Sequence, residues 1–260
     1  MFDEEFSQGD SYLHNLDPRI KIIASIIYSF GVALLQDLPN AFAALLFSLL
    51  LLAFSALPLK KVLYRLLLVN SFIFFLWLFL PFSTPGNPVF SILSLKVSAE
   101  GIIKSTLITL KANAIFMGII TIVSTSPVPT LGRALYDLQV PAKLTFLLLI
   151  SYRYLQVIYD EYKKLARTIE IRGFVPGTNL HTYKTFAYLL AMVLIKSYDR
   201  AQRVYQAMLL RGFSGKFYSL HEFFLSDKDI RFIIYICLLV SILLGADILD
   251  LTTLSRLKIP

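Results

Sequence analysis

Long apolar segments set the strongest limit on how this chain can fold. Five blocks approach the 20 or so residues that a helix needs to cross a bilayer, and short polar breaks separate them. Charged residues make up 16% of the 260 positions, against about a quarter in an ordinary soluble domain. The pattern predicts an all-α integral membrane protein and excludes an ordinary soluble fold.

Helix-start signals and basic turns give the spans a direction. Asp17 and Pro18 are residues typical of an N-cap and a first helical position, and Arg19 and Lys21 mark the cytosolic side. The break at 36–40 lacks Lys and Arg and is therefore expected outside, whereas the basic turn after Pro58 is expected inside. The predicted spans cover about 20–36, 40–57, 62–81, 100–126 and 231–249.

The surplus positive charge is concentrated in one part of the chain. Residues 127–231 hold 15 Lys and Arg against eight Asp and Glu. No nucleic-acid motif accompanies this charge and apolar spans flank it, so it indicates the positive-inside bias of a membrane protein. We therefore predict three parts: transmembrane helices in 1–126, a cytosolic domain in 127–230 that is partly membrane-embedded at its helix ends, and a last span with an external C-terminus in 231–260. The N-terminus is predicted to be cytoplasmic, in a prokaryotic plasma membrane.

One pattern occurs twice in the predicted cytosolic domain: Tyr-Asp, eleven residues, then Arg-Gly-Phe. The copies run over 159–174 and 198–213 and are offset by 39 residues. Apolar positions that recur at three- and four-residue steps predict long helices over 143–172 and about 182–211, after a short helix over 130–139. Both copies thus end at the C-terminus of a long helix, which suggests two matching water-facing levers.

The Arg-Gly-Phe ends have a structural interpretation and a functional one. Arginine in a last turn interacts favourably with the helix dipole and glycine is the usual left-handed cap, but this leaves the phenylalanines and the preceding aspartates unexplained. A guanidinium beside an exposed aromatic suits docking on a partner, because arginine forms bidentate pairs with carboxylates. We predict docking through Arg172, Gly173, Phe174, Arg211, Gly212 and Phe213, supported by Asp160, Arg167, Asp199, Arg200 and Ala207.

No catalytic site or metal site can be composed from the sequence. His14, His181 and His221 lie far apart, nothing has metal-ligand spacing, and there is no phosphate-binding loop. The fourth span contains Lys104, Lys111 and Asn113, which either reach the membrane interface or form a polar site. We therefore expect a non-catalytic chain without a cofactor of its own.

Several segments resemble a known family, the transmembrane coupling subunits (T components) of energy-coupling factor transporters, and most closely the CbiQ type. The resemblance covers most of the chain and is densest in the second repeat. One departure is Thr168, where the second copy has Ala207. The matching segments are Leu16 to Arg19 with Lys21, Lys111 to Ala114, Ser124-Thr125, Leu131 to Pro141, Tyr152 to Tyr154, Ala166 to Phe174 and Arg200 to Gly215.

The resemblance implies a division of labour among several proteins. Such a subunit links a substrate-binding membrane protein, the S component, to two ABC-type ATPases, and the arginine of each Arg-Gly end contacts an acidic residue in an ATPase groove. By position these arginines are Arg172 and Arg211. ATP would be bound by the ATPases and the metal ion by the S component, so the partners are these proteins and membrane lipid, with no nucleic acid.

The implied cargo is cobalt or nickel, which would connect the chain to cobalamin biosynthesis. A T component of the vitamin type, dedicated or shared, is the alternative. A membrane-bound enzyme using Lys111, Asn113 or Arg153 is a rival of another class. A secondary transporter would need inverted repeats of its spans, whereas the repeat seen here lies in the predicted cytosolic helices.

Overall fold

The computed structural model describes residues 6, 9, 11–85, 88–92, 95–213 and 225–257. Within these ranges eight helices dominate, which confirms the predicted all-α class. A short antiparallel pair of strands, β1 (Pro88–Ile92) and β2 (Leu95–Ser98), interrupts the stretch predicted as an external loop. The helices are α1 (Pro18–Leu34), α2 (Leu38–Ser55), α3 (Leu59–Ser83), α4 (Ala99–Val123), α5 (Val128–Asp137), α6 (Ala142–Ile171), α7 (Leu180–Leu210) and α8 (Asp227–Leu257).

Four helices, and not the five expected, are long and apolar enough to span a membrane in the described part of the chain: α2, α3, α4 and α8. The first predicted span forms as α1, with Asp17 as its N-cap and Pro18 in its first turn, but it has 17 residues. At 1.5 Å per residue it is about 26 Å long, shorter than a hydrocarbon core of about 30 Å. Its end is set by α2, which begins at Leu38 and leaves three residues for the reversal.

The described residues form two compact units whose boundary falls within α5. The first unit contains α1 to α4, β1, β2 and α8, and its core lies around α1, which packs on α4 and α8. Tyr28 is fully buried and donates a hydrogen bond to the Ala44 carbonyl at 2.8 Å. A Cβ added to Gly118 would lie 2.5 Å from Tyr28 Cε1, and one added to Gly31 would lie 2.4 Å from Val240 Cγ1. Glycine is therefore what permits these close helix contacts.

Two carboxylates on α8 bind backbone amides at the two ends of α1. Asp229 Oδ1 accepts from the Asp17 N–H at 2.8 Å, and Asp247 accepts from the N–H groups of Gln36 and Asp37 at 2.9 Å each. Asp229 and Asp247 are five helical turns apart and so share one face of α8. Both are buried, since their role is to satisfy amides that the helix ends leave without intrahelical partners.

The polar residues of α4 take part in helix packing. Asn113 and Asn70 of α3 form a reciprocal pair of amide hydrogen bonds at 2.9 and 3.0 Å. Lys111 Nζ donates to the Ala33 carbonyl near the end of α1 at 3.0 Å, while Lys104 is exposed. Two of the three polar residues therefore join α4 to its neighbours, as is common for buried polar groups in membrane helices.

Candidate docking site at two matched helix ends

The second unit contains α6 and α7, and its candidate site begins with the end of α6. Arg172 is the C-cap, and Gly173 follows with φ +81. The Gly173 N–H donates to the Glu170 carbonyl at 3.0 Å and the Phe174 N–H to the Ile169 carbonyl at 3.2 Å. These two bonds and the left-handed glycine form a Schellman motif, which satisfies carbonyls that the helix end leaves open.

The end of α7 repeats this geometry. Arg211 is the C-cap and Gly212 has φ +76. The Gly212 N–H donates to the Leu209 carbonyl and the Phe213 N–H to the Met208 carbonyl, both at 3.0 Å. At both glycines an added Cβ would meet no atom within 4 Å. Glycine is therefore favoured at these positions by the backbone conformation and not by lack of space.

The two phenylalanines tie each helix end to the opposite helix. Phe174, after α6, meets the edge of Phe186 of α7 with centroids 5.9 Å apart. Phe213, after α7, stacks on Phe146 of α6 at 5.7 Å. Contacts that run from the end of each helix to the beginning of the other show that α6 and α7 form an antiparallel hairpin.

The expectation of exposed aromatic anchors beside the arginines is therefore wrong. Phe174 and Phe213 are half-buried, because each fills the space over an aromatic residue of the opposite helix. Their role is to fix the direction in which the chain leaves each helix. The exposed groups at these ends are the arginines and the glycine caps.

Near the middle of the hairpin, an acidic residue of α6 binds two basic residues of α7. Lys196 Nζ lies 2.6 Å from Glu161 Oε1, and Arg200 Nη2 lies 3.4 Å from Glu161 Oε2. The hydrogen bond from Lys196 is the main cause that lowers the pKa of Glu161 from its ordinary value of 4.5. Opposite charges at this crossing stabilise one register of the two helices.

Glu161 and Arg200 are also equivalent positions of the two repeats, since they differ by the same 39 residues. The pairs Phe174–Phe186 and Phe213–Phe146 follow the same rule to within one residue. Equivalent residues that meet in an antiparallel pair define a local two-fold axis. The sequence repeat is therefore a structural repeat around the Glu161–Arg200 contact.

The axis sets the positions of the two docking arginines. Arg172 and Arg211 each follow the axis residue of their helix by eleven residues, or roughly 16 Å of helix. Arg172 lies 26 residues beyond Phe146, the neighbour of Phe213, so the two ends are about 39 Å apart along the hairpin. Both arginines are exposed, and neither guanidinium has an ion pair within the described ranges.

The residues predicted to support the docking ends have different surroundings. Of the five, Arg200 alone has a contact to the other helix in the described part of the chain. Asp160 accepts a hydrogen bond from Gln156 one turn earlier. Arg167, Asp199 and Ala207 lie exposed on the hairpin. Thr168, at the position equivalent to Ala207, is exposed and bonds to the Lys164 carbonyl, so it does not disturb packing.

Glu161 and Lys196 were not among the predicted site residues. Their signal was present in the repeat, where an acidic residue follows the first Tyr-Asp and a basic residue follows the second. Opposite charges at equivalent positions are what an antiparallel pair around a two-fold axis brings together. The prediction treated the two helices as independent levers and so did not compare these positions.

Residues that a membrane enzyme would need are engaged elsewhere. Asn113 and Lys111 hold helix contacts in the first unit, and the Arg153 guanidinium lies 5.9 Å from the ring of Tyr154. Among the described residues, no three histidine, cysteine, aspartate or glutamate side chains come together as in a metal site. That a partner holds the ion stays a prediction.

The fold and this site define a multi-pass helical membrane protein with two matched cationic helix ends. The sequence profile of the CbiQ family, described as cobalt transport protein, matches residues 9–220, and this chain belongs to that family. The energy-coupling factor transporter transmembrane protein EcfT of Streptococcus thermophilus is 29% identical over 219 residues, covering 80% of this chain and 83% of its own length.

Two further relatives match over more of the chain. EcfT of Clostridium kluyveri is 26% identical over 251 residues, covering 91% of this chain and 92% of its own length. An uncharacterized protein of Methanocaldococcus jannaschii is 24% identical over 258 residues, covering 95% of this chain and 87% of its own length. These matches extend beyond the repeated helix ends to the whole membrane protein.

Proposed function

We propose that this chain is the coupling subunit of an energy-coupling factor importer, which transmits the motion of two ABC-type ATPases to a substrate-binding S component. The observation that carries the proposal is the pair of equivalent Arg-Gly ends around one local two-fold axis. Two ends of the same geometry suit two partners of the same or similar structure. The names of the EcfT relatives support the same class of transporter.

Arg172 and Arg211 are the proposed contacts to the ATPases. Each is an exposed cation on a fixed helix end, and a carboxylate in a partner's groove would form a charge-assisted bidentate pair with it. When ATP binding closes the ATPase pair, the two ends would be moved relative to the membrane unit. That motion would reorient the S component and carry its substrate inward.

Cobalt, or the chemically similar nickel, is the proposed substrate. The family description as cobalt transport protein supports this assignment. The metal ion is cargo of the S component in this proposal, and ATP belongs to the ATPases, so this chain is a non-catalytic subunit. The N-terminus and the α6–α7 hairpin are proposed to be cytoplasmic, where the ATPases are, and the protein to lie in a prokaryotic plasma membrane.

Purification of the tagged chain from its native membranes, with mass spectrometry of the proteins that accompany it, tests this function. We expect two ABC ATPases, or one in two copies, and a metal-type S component in stoichiometric amounts. ATPases with several unrelated S components would retain the coupling role and replace the metal with vitamins. Absence of any ATPase from an otherwise intact complex would refute the proposal.

A further inference from the structure

Glu161 holds the α6–α7 hairpin together at a point on which both docking ends depend. Its two carboxylate oxygens face different cations of α7, with Oε1 at 2.6 Å from Lys196 and Oε2 at 3.4 Å from Arg200. The carboxylate is 15% exposed, whereas the side chains of Lys196 and Arg200 are 43% and 37% exposed. The acid is therefore the enclosed member of the cluster.

Each docking end lies roughly 16 Å along its helix from the residue on the local two-fold axis. A displacement applied at one end can reach the other in two ways, by rigid rotation of both helices or by sliding of one helix past the other. Aromatic pairs at the hairpin ends resist separation but present smooth surfaces to sliding. A charge cluster at the crossing fixes the register, because one helical step would move its partners by 1.5 Å.

From this geometry we infer that Glu161 is a positioning residue for energy coupling: its ion pairs with Lys196 and Arg200 make the two Arg-Gly ends move as one rigid body. The inference rests on the proposed function, because it concerns how force passes between the two ATPase contacts. Glu161 itself touches neither substrate nor nucleotide in this mechanism. Its loss would let the ATPases close while the helices slip, so that ATP is hydrolysed with less transport.

The test is the ratio of substrate uptake to ATP hydrolysis in proteoliposomes that contain the complete transporter. With Glu161→Gln we expect ATP hydrolysis to stay within about twofold of the wild type and uptake per ATP to fall at least fivefold. Glu170→Gln is the matched control, since it removes an exposed carboxylate from the same helix without touching α7. Its ratio should equal that of the wild type.

A charge exchange distinguishes coupling from folding. Glu161→Lys combined with Lys196→Glu places an opposite pair at the same crossing, and Arg200 lies one turn from the new acid. We expect this double variant to recover most of the uptake per ATP that Glu161→Lys alone loses. If Glu161→Gln fails to assemble, recovery by the exchange still supports the inference, and equal losses in exchange and single variant overturn it.

The outcome separates this inference from the proposed function. A wild-type complex that lacks ATP-driven uptake refutes the coupling role itself. Normal uptake in the wild type together with an unchanged uptake-to-ATP ratio in Glu161→Gln refutes the role of Glu161 alone. A parallel fall of uptake and ATP hydrolysis in Glu161→Gln, unrepaired by the exchange, would show a general structural role and also overturn the inference.

Discussion

Glu161 and Arg200 hold the same position in two copies of one repeated segment and contact each other, with Nη2 of Arg200 3.4 Å from Oε2 of Glu161. This contact turns a repeat along the chain into a two-fold relation in space. The Arg-Gly ends consequently lie at equal distances from a common centre. An arrangement of this kind offers two equivalent attachment points without needing two copies of the chain.

Alanine at the cap glycines should open the last turn of each long helix. Gly173 and Gly212 have φ +81 and +76, a conformation that costs a residue with a Cβ about 1–2 kcal/mol. In Gly173→Ala or Gly212→Ala, amide hydrogen exchange at that helix end should be about 5–30 times faster. Gly177→Ala is the control, because its added Cβ meets only a side-chain atom at 3.8 Å and its φ is not in the left-handed range. Unchanged exchange in the cap variants would contradict the Schellman geometry.

The contact between α1 and α8 should not tolerate a methyl group on α1. In Gly31→Ala the new Cβ would lie 2.4 Å from Val240 Cγ1, and overpacking of this kind costs roughly 1–3 kcal/mol. We expect a lower thermal unfolding midpoint for the purified protein in detergent. Gly245→Ala on α8 has open space around its Cβ and should be neutral or stabilising. Equal midpoints for Gly31→Ala and the wild type would show that these helices do not pack as described.

The Asn70–Asn113 pair should show energetic coupling between α3 and α4. Hydrogen bonds between membrane helices contribute about 0.6 kcal/mol on average and up to about 1.7 kcal/mol. A double-mutant cycle with Asn70→Leu and Asn113→Leu should give a coupling free energy of unfolding in that range. Additive effects of the two substitutions would mean that the amides do not bind each other.

The hairpin should depend on pH only in the acid range. The folded pKa of Glu161 lies below its ordinary value of 4.5, so its stabilising contribution is present above that value. The contribution is lost as the pH falls through the lower, folded pKa. Spin labels at Leu144→Cys and Leu210→Cys, with Cys237→Ser, should report one distance from pH 7 to 5 and a broader distribution below about 4. A change between pH 7 and 5.5, or the same acid change in Glu161→Gln, would contradict this assignment.

Sequence reasoning located the helices and both caps well because their signals are local. Asp17 and Pro18 mark the start of α1, and Gly173 and Gly212 mark the two C-caps. What it could not locate were contacts between distant residues. The amides bound by Asp229 and Asp247, and the packing of Phe174 and Phe213, depend on helix pairing that no local pattern encodes.

The number of spans shows the same limit. Residues of α1 are apolar enough to suggest a span, but the helix ends after 17 residues because α2 begins at Leu38. The neighbours of α1 then determine its role, since it is the core of the first unit. Hydropathy alone cannot distinguish an apolar face that meets lipid from one that meets other helices.

The most direct test of the central claim is ATP-driven cobalt uptake by the double charge reversal Arg172→Glu with Arg211→Glu. We predict that uptake falls to background while the protein remains in the membrane fraction, and that each single reversal has a milder and similar effect. Lys184→Glu with Arg203→Glu, two exposed cations of α7 away from the helix ends, is the control and should retain uptake. ATP-dependent uptake at the wild-type rate in the double reversal would contradict the account.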